Sequence, residues 1–207
     1  MKSIEMPPAD SPLIVACGAL ARELRAVLQA TDLENAIEVV YLPANLHNTP
    51  DQIVPTLRPL ISTAAAQNRP IFIGYSDCGT GGALDAMLAE FPSVQRLPGA
   101  HCYEMFAGAE RFAALHDAAP GTFYLTDFLA LHFDSLVWVG LGLDRHPELR
   151  DAYFGNYTRV VHLAQGDQPD CAAAAAAAAA RLGLDFISES VGRDALRLAV
   201  ERHRGAA

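Results

Sequence analysis

Three cysteines and two histidines fall at the end of an apolar run or in the stretch that follows one: Cys17 in "LIVACG", His47 in "LPANLHNTP", Cys78 in "YSDCGTGGALD", and His101 with Cys102 in "GAHCYEMF". Thiolate and imidazole are the donors that soft and borderline metals prefer, and cysteine sulfur also holds iron–sulfur clusters. Cys17, Cys78 and Cys102 are therefore candidate metal ligands, with His47 as a fourth. His101 and Glu104 stand beside Cys102 as candidate acid–base groups for catalysis. Asp77, Gly79, Thr80, Gly81 and Gly82 form a candidate cofactor-binding loop, because glycines turn the chain tightly and bring backbone N–H groups toward a bound anion or sulfide. Nucleotide cradles do not fit this loop. A Walker-type loop needs Gly-Lys-Ser/Thr, whereas Ala83, Leu84 and Asp85 follow Gly82, and the dinucleotide pattern would need glycine where Leu84 stands.

Each of these residues also has an ordinary role to weigh against the chemical one. Cys17 is a small core hydrophobe by its neighbours, and Cys102 opens a stretch with helical spacing. Cys78 is different, since polar, turn-forming residues surround it. His47 serves as a loop-bridging residue and Glu104 as a helix-start acid in the plainer account. Asp127 reads as a helix cap, Cys171 as incidental to an alanine helix, and His116, His132, His146, His162 and His203 as surface or packing residues without partner spacing.

The surrounding pattern alternates strand and helix. "LIVAC", "IEVVYLP", "PIFIGYS", "VQRLPG", "GTFYLT", "TRVVHLAQG" and "DFISESV" read as strands, and helical spacing lies between them, as in Leu20, Leu24, Val27 and Leu28. Helices are expected from Pro50 or Asp51 to about Gln67, from about Gly81 to Phe91, and through "HCYEMFAGAERFAALHD". "PELRDAYFGNY", the alanine run ended by Gly183, and "DALRLAVERHR" are read the same way. Thr126 or Asp127 would cap an apolar helix in "FLALHFDSLVWVGLGL", a segment greasy enough for a core or a subunit contact, so the oligomeric state is left open. This order predicts an α/β fold with an open, mostly parallel, doubly wound sheet flanked by helices on both faces, in a single domain over residues 1–207 with residues 1–11 a flexible N-terminus. Ligands of such sheets bind beyond the C-terminal strand ends, and the cysteines and histidines above all follow strands.

Composition narrows the partners. Of 207 residues, 51% are hydrophobic and 19% charged, a globular balance, and a net charge of −9 with 15 scattered basic residues disfavours nucleic acid. No apolar run approaches the length of a membrane span, "LIVACG" lacks the upstream features of a lipoprotein signal, and four cysteines far apart with no C-x-x-C pair suit free thiols. A cytoplasmic protein acting on a small-molecule or metal-centred ligand, without membrane or nucleic acid, is the expectation.

The motifs "ACGAL", "LPANLHNTP", "YSDCGTGGALD", "GAHCYEMFAG" and "GTFYLTDFLALHFD", spread from about Leu13 to about Gly192, resemble the bacterial and archaeal family described as domain of unknown function 1638. The resemblance implies that Cys17, Cys78 and Cys102 match the recurring cysteines of its ACG, DCGTGG and HCYE motifs, while Cys171 matches none. It also implies the genomic company of corrinoid-dependent methyltransferases. The loop here reads "YSDCG" where "YGDCG" is familiar, which leaves the thiol in place. Three readings stay open. The first is a three-cysteine zinc or iron–sulfur site, with a corrinoid-related ligand as a further option, in an enzyme of lyase or transferase type or an accessory factor in methyl, corrinoid or sulfur metabolism. The second is a metal-free enzyme with Cys78 as nucleophile and His101 or His47 as base. The third is a metal chaperone or small-molecule binding module without turnover.

Overall fold

A computed structural model describes residues 11–205; the expected flexible N-terminus, residues 1–11, lies outside them except for Ser11. The described residues divide into two compact units, residues 11–105 with 194–205, and residues 106–193. The expectation of parallel α/β architecture holds, with the strands divided between two sheets.

In the first unit, β1 (Leu13–Cys17), β2 (Glu38–Leu42), β3 (Ile71–Gly74) and β4 (Gln95–Arg96) form a parallel sheet in the order β2-β1-β3-β4. All five residues of β1 and all four of β3 are buried, which explains their unbroken apolar runs: strands covered on both faces do not alternate. Helices α1 (Ala21–Ala30), α2 (Ile53–Ala66), α3 (Ala83–Leu88), α4 (Cys102–Ala107) and α9 (Asp194–Gly205) complete the unit. Leu24, Val27 and Leu28 of α1 and Ile53, Leu57 and Ile61 of α2 carry the apolar stripes that cover the sheet. α2 is preceded by a 3-10 turn, Pro50–Gln52, that begins at the proline expected to open the helix.

The second unit is built on β5 (Thr122–Thr126), β6 (Arg159–Ala164) and β7 (Asp185–Ser190), parallel and in that order. Its helices are α5 (Ala109–Ala118), α6 (Asp127–Leu131), α7 (Leu149–Phe154) and α8 (Pro169–Leu182). The alanine run makes α8, with Pro169 in its first turn and Gly183 at φ +68° closing it. Ala175, Ala178 and Ala179 let this helix lie close against Leu125, Val160 and Phe133 in the core.

Two elements depart from the expected pattern. The helix anticipated through "HCYEMFAGAERFAALHD" is two helices, because Gly108 adopts φ +79° and ψ 146°, a conformation no helix contains. "FLALHFDSLVWVGLGL" is also broken: α6 gives way to a π-turn at Asp134–Trp138, with Phe133, Val137 and Leu143 in the core and Leu131 and Val139 exposed. No described helix is long and apolar enough to cross a membrane.

Candidate functional site

Cys17 ends β1, and its buried sulfur accepts the Ala19 N–H at 3.3 Å, capping the 3-10 turn Gly18–Leu20. The loop after β2 forms a second 3-10 turn, Ala44–Asn48, that sets His47 over Cys17, with Nδ1 3.6 Å from Sγ. The same nitrogen lies 3.1 Å from the Ala44 carbonyl, which can only accept, so Nδ1 carries the proton and Nε2 keeps its lone pair. Neutral imidazole ligates metals through either nitrogen, and this tautomer leaves Nε2 as the one able to do so. Burial of its packed side pushes the His47 pKa down against the pull of the Ala44 carbonyl, so the ring is neutral, while its outer side stays exposed at the mouth of the site.

The loop after β3 runs beside the loop after β4, as though the two strands continued. The Ser76 hydroxyl donates to Pro98 O at 2.8 Å, Asp77 N–H to Gly99 O at 3.1 Å, and Cys78 N–H to Ala100 O at 2.8 Å. This ladder brings Cys78 toward Cys102 at the start of α4. Arg96 braces it with two hydrogen bonds to Asp85, at 2.6 and 2.8 Å, and one to Leu97 O at 2.7 Å.

Cys17, Cys78, Cys102, His47, Tyr75 and Ser76 line one cavity with apolar Leu20 and Leu97 at its back. Its free volume is about 10 Å³, room for roughly one water. Burial, and for two of the thiols their neighbours' charge, oppose ionisation. Desolvation raises the Cys17 pKa to about 11, and desolvation with the nearby Cys17 raises that of Cys78 to about 12. Cys102 is pushed higher still by burial and by both other thiols. Tyr75 was not singled out by the sequence, yet its ring is buried and stacks on His47 at 6.0 Å. Its buried hydroxyl interacts with the Cys17 thiol and lies in the field of Cys78. Burial and those two thiols hold it firmly un-ionised. Among the described residues, no group of three or more His, Cys, Asp and Glu side chains stands in a ready-made metal-holding arrangement.

The other predicted site residues serve to build this rim. The Asp77 carboxylate accepts N–H bonds from Gly81 at 3.0 Å and Gly82 at 2.8 Å and a hydroxyl bond from Thr80 at 2.6 Å. The amides read from sequence as an anion cradle are thus given to the chain's own Asp77. Burial raises that carboxyl's pKa, but the Thr80, Gly82 and Gly81 donors outweigh it and hold it below the ordinary value. Gly79, at φ +82°, turns the loop against Pro50. At α4, His101 Nδ1 accepts the Glu104 N–H at 3.3 Å while Glu104 Oε2 accepts the Ala100 N–H at 2.8 Å. The arrangement resembles a capping box and commits one polar atom of each proposed acid–base group, His101 Nδ1 and Glu104 Oε2, to the start of the helix. Cys171 is buried at the start of α8, in the second unit, and takes no part.

Asp77→Ala is expected to cost about 2 kcal/mol, since three donors lose one acceptor, and to loosen the loop that carries Cys78. Asp77→Asn, which keeps an acceptor oxygen, loses less. Urea denaturation with alkylation rates at Cys78 checks both, and an unaltered midpoint for Asp77→Ala would refute the role.

Residues 41–199 match the model of a family described as protein of unknown function (DUF1638). No curated protein and no solved structure matches the chain.

Proposed function

The chain belongs to that family, whose description names no chemistry, and we propose from the cavity itself that Cys17, Cys78 and Cys102, with His47 at the mouth, bind one soft or borderline transition-metal ion. The observation that carries this is the convergence of three thiols and a metal-competent imidazole on a space the size of a single atom. Such a packing is electrostatically unfavourable for three anions alone. A cation relieves it, because a bound metal deprotonates coordinating thiols outright. The side chains have to draw inward around the ion, since they do not stand at ligand positions beforehand.

The cavity size favours a single ion such as Zn(II) or Cu(I) over an iron–sulfur cluster, which needs room for several irons and sulfides. Three thiolates would leave a fourth position for His47 or an outside ligand, and the Tyr75 hydroxyl beside Cys17 would be a hydrogen-bond donor at the cavity wall. An enzyme or accessory factor handling thiol, methyl–sulfur or corrinoid chemistry fits such a centre. A metal-free Cys78 nucleophile fits less well: it calls for a depressed thiol pKa, and burial moves all three cysteines the other way.

Anaerobic purification followed by metal and acid-labile sulfide analysis tests the proposal. About one ion per chain and no sulfide are expected, falling below about a tenth of an equivalent in Cys78→Ser/Cys102→Ser. Wild-type protein with intact thiols that stays below that level after equilibration with zinc and with copper(I) refutes it.

A further inference from the structure

The second unit holds a polar chain that the metal site does not use. Asp127, the first residue after β5, and His162 in the middle of β6 are both almost fully buried, 0% and 1% exposed, and His162 Nε2 lies 2.8 Å from Asp127 Oδ1. On the other side of the ring, His162 Nδ1 lies 3.2 Å from the hydroxyl of Ser188, its register partner on β7. Ser188 is exposed. Asp127 does not serve as the helix cap, a task done by Thr126, whose hydroxyl accepts the Leu129 N–H. Its own N–H donates to Gln165 Oε1 at 2.8 Å, and Gln165 is buried too, so the carboxylate is fixed in place.

We propose that Ser188, His162 and Asp127 form a nucleophile–base–carboxylate relay that cleaves small carboxylic esters at the β7 edge of the second sheet. The carboxylate can only accept, so it fixes the proton on Nε2 and leaves the Nδ1 lone pair for the serine hydroxyl. The same order of an exposed serine, a histidine and a buried acid recurs on unrelated folds, recognised by geometry alone. β7 is an outer strand of its sheet, and the Asp185 and Val191 amides donate inward to Thr158 O and Ala164 O. By strand alternation, the Ser188 amide points away from β6, where it can receive a developing oxyanion beside its own hydroxyl. Phe186, on the same face two residues earlier and 38% exposed, offers an apolar surface to the acyl chain.

In the first step Ser188 Oγ attacks the carbonyl carbon, its proton passes to His162 Nδ1, and the carbonyl π electrons move onto oxygen. Collapse breaks the ester C–O bond and the leaving alkoxide takes the proton from His162. Water then adds to the acyl-serine by the same route and releases the carboxylic acid, so protons and electrons balance without a further reactant. Ser188 and His162 are the catalytic residues; Asp127 is a positioning residue.

The full-length protein is treated with a fluorophosphonate probe, with mass mapping of the adduct, and assayed with p-nitrophenyl acetate. The adduct is expected on Ser188, and Ser188→Ala, an exposed change that leaves the core intact, should lower ester cleavage by about 100-fold or more. Asp127→Asn should reduce kcat by a similar factor with KM little changed, which loss of fold alone would not produce. Chelator treatment should leave the rate unchanged, separating this site from the thiol cavity. Folded wild-type protein that takes no probe at Ser188, or Ser188→Ala cleaving at the wild-type rate, overturns the proposal.

Discussion

Raising the pH from 6 to 8 is expected to tighten zinc binding by about a million-fold, because each thiol must give up its proton to become a ligand and three thiols release three protons per ion. The sign follows from the direction of the shifts. Burial lifts Cys17 to about 11 and Cys78 to about 12, with Cys102 above them, so all three are protonated throughout this range in the free protein. Binding therefore takes up no benefit from pre-formed thiolate until the pH nears those values, and the logarithm of affinity climbs about three units per pH unit below them. His47 adds little to the slope, since its lowered pKa leaves it neutral above the ordinary histidine range. Competition against a chelator of known proton linkage, repeated across pH, measures the slope. Cys102→Ser should reduce it by one proton. A slope near one in the wild-type protein would mean that a single cysteine binds and that the cavity is not the site.

Gly74→Ala is expected to cost about 3 kcal/mol, at the upper end of what overpacking usually does. A Cβ at Gly74 would stand 2.6 Å from Ala16 Cβ and 2.9 Å from Ala16 Cα, and both atoms belong to the central strand. Ala16 is the register partner of Gly74, so β1 and β3 approach closely where they deliver Cys17 and Tyr75 to the cavity. No side-chain rotation can relieve the contact; one strand has to move. The test is a urea midpoint with an unchanged m-value, together with zinc affinity, which should fall as Cys17 and Tyr75 are displaced. Ala16→Gly in the same chain should recover much of both. A Gly74→Ala protein as stable as wild type would show that the two strands have slack at this point.

The strand–helix order was legible because covered strands are written as unbroken apolar runs, as in "LIVAC" and "IFIG", and helices as stripes such as Leu24, Val27 and Leu28. Which strands become neighbours is not written in that periodicity. β4 has only two residues, and the pairing of β5, β6 and β7 into their own sheet depends on contacts between distant segments. The gathering of Cys17, Cys78, Cys102 and His47 at one rim followed from their place after strands, a rule of the architecture. The sequence shows the Gly81 and Gly82 amides as available to an anion; the fold gives them to Asp77, four and five residues away, the ordinary reach of an aspartate in a turn. Tyr75 carries no such signal, because in the sequence it is the end of an apolar strand. Asp127, His162 and Ser188 could not be found by spacing: they are separated by 35 and 26 residues and meet only through sheet register.

Cys78 has φ +52°, one of three non-glycine residues among those described with a positive φ. The neighbouring Gly79, Gly81 and Gly82 also have positive φ, and a glycine at 78 would adopt this geometry more cheaply by about 1 kcal/mol. The fold thus carries a standing handicap at this position, where it places a sulfur atom. A protein engineer optimising thermal robustness would be drawn to replace this residue first, and would in doing so remove one of the three thiols that line the cavity.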